Sequence, residues 1–317
     1  MRGLTIHSTG PIAACRHLGY KSLAQIPAHR NGPVNSNVRA PKTDRSRSTT
    51  MKTYSTSGYR IFKKFVGELT AAAAGAQIGT NLAVKAAAAL ANSDPWYSLG
   101  AHQGIHVCGL NSPTVQISTA RLNIVSLYSG FDLFLAHLRS QHFQLHNKEW
   151  RQHDGDSPFD EIQRNSSSTT SELKSNLNPC RISTIDYYRL VRNAVAHPSA
   201  DNIGKAKMFF FQNAPLLTRI RSHYGMISAP NDYDQLSYHD VKAFAQTALD
   251  LCQAIDIDFD PGDQRLALQI PECLKREQKS DARIRNTIAG WLRNNYSISG
   301  ERTDRITTLY MTHQLAG

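Results

Sequence analysis

Seven consecutive residues, Arg192-Asn193-Ala194-Val195-Ala196-His197-Pro198, carry the side chains of this 317-residue chain best suited to chemistry. Histidine takes and gives protons near neutral pH. Arginine presents a rigid fork of N–H donors that fits a phosphate or a developing pentacovalent phosphorus. Asparagine adds an amide that can orient either one. An Arg and a His on one short stretch of backbone therefore point to acid–base chemistry on a phosphodiester, of a kind that does not require a metal ion.

A helix must position these groups. Apolar residues recur at helical spacing from Ile182 to Val195, and Ser183 followed by Asp186 has the form of a capping box, which predicts a helix starting near Thr184. At about 100° per residue, Tyr187, Tyr188, Val191, Ala194 and Val195 share one arc. Asp186, Arg189, Arg192, Asn193 and His197 share the other, with Arg192 at its margin. Asn193 and His197 are i,i+4 neighbours, whereas Arg192 and His197 lie roughly 140° apart on an ideal helix. Pro198 disfavours helical geometry at His197, so the His falls at the helix end. One such helix presents the groups without closing a site. A second copy, facing it across a two-fold axis, would close it.

The rest of the chain reads as all-α. Ala-rich sequence from Tyr59 to Ala91 predicts one or two helices, and Val115 to His142 predicts a long one. In the latter, Leu127, Phe131, Phe134 and Leu138 form the apolar stripe, while Leu122, Val125, Ser129, Asp132, Ala136 and Arg139 form a second row. Residues 158–177 suggest a polar helix, and Ala206 to Arg221 another. Ser237 with Asp240 is a second capping-box pattern, opening a helix to about Ile255 on a stripe of Val241, Phe244, Ala245, Ala248, Leu249, Cys252 and Ile255. Beyond the linker 256–262, a polar helical extension has its best segment at Ile284–Tyr296. Trp96–Pro113 reads as irregular.

A hydrophobic content of 40% suits a globular protein, and the net charge of +11 is concentrated at one end. Residues 1–50 hold eight Lys or Arg against Asp44 alone, without helical or strand periodicity, and read as a disordered basic leader. A targeting segment, or a translation start at Met51, fits the same composition. The remainder is only mildly basic, so an argument for nucleic acid must rest on the site. No apolar run approaches the length of a membrane span. Five scattered cysteines, at 15, 108, 180, 252 and 273, suit a reducing compartment, and a cytoplasmic location follows.

The motif, with Tyr188-Arg189-Leu190-Val191 before it and Pro198 after it, resembles the signature of HEPN-domain proteins. Ala229-Pro230-Asn231 and the helix lead-in Tyr238-His239-Asp240-Val241-Lys242-Ala243-Phe244 extend the resemblance over roughly residues 113–260. The resemblance implies a helical bundle, a homodimer with a composite site, and metal-independent endoribonuclease activity of the toxin or anti-phage defence type, with RNA as substrate and an antitoxin protein as a further partner. It assigns catalysis to Arg192, Asn193 and His197, and no cofactor. The implied organisation is a leader (1–50), an Ala-rich helical segment (51–112), the HEPN-like bundle (113–260) and a C-terminal helical extension (261–317). A non-catalytic module that binds RNA or a protein is the other reading. Some family members carry His-x-Tyr, with the Tyr modified by a nucleotidyltransferase; here Pro198 and Ser199 follow the His, which departs from that pattern.

Asp132, Asp186 and Arg189 are supporting candidates. Asp132, on the helix expected beside the motif, could anchor Arg192 or orient His197, or simply be solvated. His102, His106 and Cys108, and separately His137, His142, His146 and His153, are metal-ligand types without the paired spacing of a structural zinc site. No phosphate loop, dinucleotide fingerprint or nucleophile elbow is present.

Overall fold

The computed structural model describes residues 54–90, 92–275 and 280–313; the leader expected over residues 1–50 lies outside them. Among the described residues there are twelve α-helices, two short 3-10 turns and no strand. The all-α expectation therefore holds, and no helix among the described residues is long and apolar enough to cross a membrane. The four described cysteines, Cys108, Cys180, Cys252 and Cys273, are free thiols.

Four long helices make the bundle: α1 (Ser57–Ala89), α3 (Ser112–His146), α6 (Pro179–Ala196) and α9 (Tyr238–Asp258). Helix α2 (Pro95–Ala101) sits within the stretch expected to be irregular. The pairing of Ser57 with Gln141, and of Phe65 with Gly130, makes α1 antiparallel to α3. Arg181 against Asp250 and Tyr188 against Asp240 make α6 antiparallel to α9. Helices α3 and α9 pack on each other and lie between α1 and α6. Their shared core includes Phe62, Leu127, Phe131, Tyr188, Phe244 and Ile255, each no more than 2% exposed. The stripes on α3 and α9 thus face inward as their spacing requires, with Leu249 at the margin.

Side-chain caps fix most helix starts. Thr56, Asn111, Asn178 and Ser199 each accept a first-turn N–H, and Ser237 with Asp240 closes the expected capping box on α9. The region 158–177 is two helices, α4 (Pro158–Asn165) and α5 (Thr170–Leu177), because Ser157 with Asp160 and Thr169 with Glu172 each start a new one. Likewise Asn213 and Pro215 divide the expected Ala206–Arg221 helix into α7 (Ala200–Gln212) and α8 (Ala214–His223). Helices α10 (Asp263–Leu268), α11 (Asp281–Tyr296) and α12 (Glu301–His313) gather a small core of their own around Leu266, Ile288, Leu292 and Ile306, closed by Tyr54. Arg302 ties it to the end of α9 through two bonds to Asp260, of 2.6 and 2.7 Å, and one to Asp263 of 2.8 Å.

Candidate active site

Helix α6 starts five residues earlier than the capping pattern at Ser183 indicates. Asn178 accepts the Cys180 N–H at 3.0 Å and Pro179 occupies the first turn. Ser183 is instead buried inside the helix, and Asp186 bonds Arg189 at 3.3 Å rather than a helix start. The far end falls where expected. Ala196 is the last helical residue, and His197 is its cap at φ −131° and ψ 73°. Its backbone N–H bonds Asn193 O at 2.8 Å, and its carbonyl accepts Asn202 Nδ2 at 2.8 Å, which fastens the corner between α6 and α7. The His197 side chain is left exposed.

The two arcs of α6 separate as their periodicity demands. Tyr187, Tyr188, Val191 and Ala194 are fully buried. Asp186, Arg189, Arg192 and Asn193 are partly buried along the flank that meets α3. Tyr187 and Tyr188 spend their hydroxyls inside the fold, on Asn231 O and Asp240 respectively. Asp240 in turn accepts from the backbone and side chains of Asn231 and Ser237, so the capping carboxylate of α9 also holds α6.

Arg192 rests on an aromatic face and forms no ion pair among the described residues. Its guanidinium carbon lies 5.9 Å from the centre of the Tyr128 ring on α3, a cation–π contact. It donates from Nη1 to Asn193 Oδ1 at 3.0 Å, and its Nε is buried without a partner. Arg121 likewise rests on a Tyr ring, that of Tyr233 at 4.0 Å, and it and Arg181 also bury an unpartnered Nε. But Arg121 is paired with Asp234, Arg181 with Asp250, Arg139 with Glu161 and Arg189 with Asp186. Asp132 lies close enough to Arg192 to feel its charge, but they form no direct ion pair among the described residues. Asp132 is therefore brought to the site as a neighbour of Arg192, not as an anchor bonded to it.

The electrostatics follow from crowding. Partial desolvation raises the Asp132 carboxyl above the ordinary range, opposed by Arg192 and Arg139. Burial raises Asp186 likewise, opposed by Arg189. Tyr128, only 4% exposed, is pushed up mainly by burial and further by Asp132, so it remains protonated at neutral pH. Two acids and two arginines leave this face without net charge, but Arg192 keeps most of its donors unspent.

On an ideal helix Arg192 and His197 would lie roughly 140° apart, and among the described residues no hydrogen bond joins them. Sequence reasoning missed Tyr128, whose apolar neighbours Leu127 and Phe131 made it look like core. A signal was available: it stands one helical turn before Asp132.

The histidine constellations go elsewhere. His102, His106 and Cys108 are exposed on the segment around α2. His142 and His146 stack at 4.8 Å and direct ring nitrogens to the carbonyls of Lys148 and Phe259. Among the described residues no three His, Cys, Asp or Glu side chains are grouped to hold a metal ion. No family model, no curated protein and no solved structure matches the chain.

Proposed function

We propose that the chain is a metal-independent endoribonuclease, acting in the cytoplasm as a toxin or anti-phage effector. The observation that carries this reading is the unspent guanidinium of Arg192, seated on Tyr128 and held by Asn193, on the same helix end as the exposed His197. A cation with free donors fits a phosphodiester, and a free imidazole one turn away fits proton transfer. In the reaction a histidine takes the proton of the ribose 2′-hydroxyl, whose oxygen attacks phosphorus. Arg192 neutralises the charge that develops there, a contribution of about 3–4 kcal/mol in comparable sites. A second histidine protonates the departing 5′-oxygen, leaving a 2′,3′-cyclic phosphate and a 5′-hydroxyl.

The test is incubation of the purified chain with structured RNA in the presence of a chelator. The wild type should cut RNA and spare DNA, and His197→Ala should lose roughly 10²–10⁴ in rate with unchanged thermal unfolding, because the side chain is exposed. Full cleavage by His197→Ala, or loss of wild-type activity with chelator, refutes the mechanism. That no hydrogen bond joins Arg192 to His197 among the described residues favours a second reading, a non-catalytic module that binds RNA. Binding without cleavage, dependent on Arg192 and indifferent to His197, is its signature.

A further inference from the structure

Three tyrosines converge on the centre of the bundle around Phe244. Tyr188 stacks on it at 4.8 Å and Tyr128 at 6.3 Å, while Tyr187 packs beside Tyr188 at 5.1 Å. Buried tyrosines ordinarily find a partner for the hydroxyl, and Tyr187 and Tyr188 do so within the fold. Tyr128 does not: its ring is 96% covered, yet its hydroxyl has no hydrogen bond among the described residues. The charges acting on that hydroxyl are Asp132, Asp186, Arg189 and Arg192, all from the α3–α6 flank. The ring that supports Arg192 thus carries an uncommitted donor into the same cluster, beside a guanidinium whose Nε is also without a partner.

We propose that Tyr128 is a substrate-binding residue, its hydroxyl donating a hydrogen bond to the phosphodiester oxygen that Arg192 holds. The inference rests on the reading of this flank as a site for RNA. Two donors of different character would then grip one phosphate: a cation resting on an aromatic face, and a neutral hydroxyl fixed by the packing of its own ring against Phe131 and Phe244. Because burial keeps Tyr128 protonated, it acts as a donor and not as a base. The rigidity of the ring matters here, since a donor already locked by packing gives up little freedom when the phosphate arrives.

The experiment compares wild type, Tyr128→Phe and Arg192→Ala in binding a single-stranded 2′-O-methyl RNA oligonucleotide, a probe that attack by a 2′-hydroxyl cannot cut. Phenylalanine keeps the ring, its packing and the support of Arg192, and removes only the oxygen. Tyr128→Phe should unfold at the wild-type temperature and bind roughly five- to tenfold more weakly, the worth of one net hydrogen bond. Its salt dependence should match wild type, because a neutral donor releases no counterion. Arg192→Ala should flatten the slope of log K against log salt by about 0.7. Equal affinity of Tyr128→Phe and wild type overturns the assignment. So does a weakened variant with an altered salt slope or a lowered unfolding temperature, which would place the effect in Arg192 or in packing. Failure of the wild type to bind overturns both this inference and the RNA reading. Binding that depends on Tyr128, without cleavage of unmodified RNA, refutes the nuclease alone.

Discussion

Asp256 and Arg192 show opposite fates for a charge beside an aromatic core. Asp256, 1% exposed on α9, spends both oxygens on the residue that caps α1: Thr56 N donates to Oδ2 at 2.7 Å, and Thr56 Oγ1 donates to Oδ1 at 2.5 Å. Burial nevertheless lifts its carboxyl from an ordinary 3.8 to about 6, against the pull of those bonds. The folded chain therefore holds this proton more tightly than the unfolded one. The resulting stability is fully present below about pH 4 and is lost as pH rises through about 6. Relative to an Asp256→Asn variant, wild type should lose stability between pH 4.5 and 7, by at most roughly 3 kcal/mol. Urea titrations of both proteins across that range measure it, and a difference that stays flat refutes the shift. Arg192 is the reverse case, a cation whose bonding capacity the fold leaves unused. Arg121 and Arg181 also bury an Nε without a partner, but each is ion-paired to an aspartate, whereas Arg192 forms no ion pair among the described residues.

At the scale of elements, the close approach of α1 and α3 rests on Gly130. A methyl group built there would lie 2.6 Å from Cδ1 of Phe65 and closer still to its ring edge, so the ring or the helix must move. Alanine in a helix interior gains about 1 kcal/mol of propensity over glycine, while overpacking costs about 1–3 kcal/mol. Gly130→Ala should therefore destabilise by up to about 2 kcal/mol in urea unfolding, and Phe65→Leu in the same chain should recover part of the loss. A stabilised Gly130→Ala would show that the helices are free to separate. Elements with a strong apolar period were legible in advance: the stripes of α3 and α9, the buried arc of α6 and the capping box at Ser237 all lie where their spacing puts them. The start of α6 was misread because a Ser-x-x-Asp pattern inside a helix looks the same as one at its cap. Helix α12 was expected only as an unbounded part of the helical extension 261–317, because its inward face uses threonine, with Thr303, Ile306, Thr307 and Tyr310 buried at helical spacing, and threonine counts as polar in any hydropathy pattern. The polar arc of the candidate site could be read from α6 alone. Tyr128 could not, because only the packing of α3 on α6 brings it there.

At the scale of the whole molecule, the proposed activity carries a prediction of assembly, in which the α3–α6 flank would meet its own copy. The flank carries Asp132 and Asp186 beside Arg189 and Arg192, two charges of each sign, so the same face turned about a two-fold axis can set acid against base. On α3, Leu122 at 65% exposure, in the row of Asp132, and Leu133 at 52%, beside it, would supply apolar contact. The spacing of Arg192 and His197, roughly 140° apart on an ideal helix, supplies the chemical reason, since a phosphate gripped by Arg192 would then take its histidine from the second protomer. A homodimer with paired α6 ends would place two of each around one cleft. Mixing Arg192→Ala and His197→Ala subunits tests this directly. Each variant alone should be inactive, while their heterodimer retains one intact Arg from one protomer and one intact His from the other, and should recover measurable cleavage. A heterodimer of wild type with the Arg192→Ala, His197→Ala double variant keeps both groups on the same protomer and should recover less. Sedimentation at the assay concentration completes the test: full activity from a monodisperse monomer would sink the composite site, because there one chain would have to supply both groups from directions that its own helix sets apart.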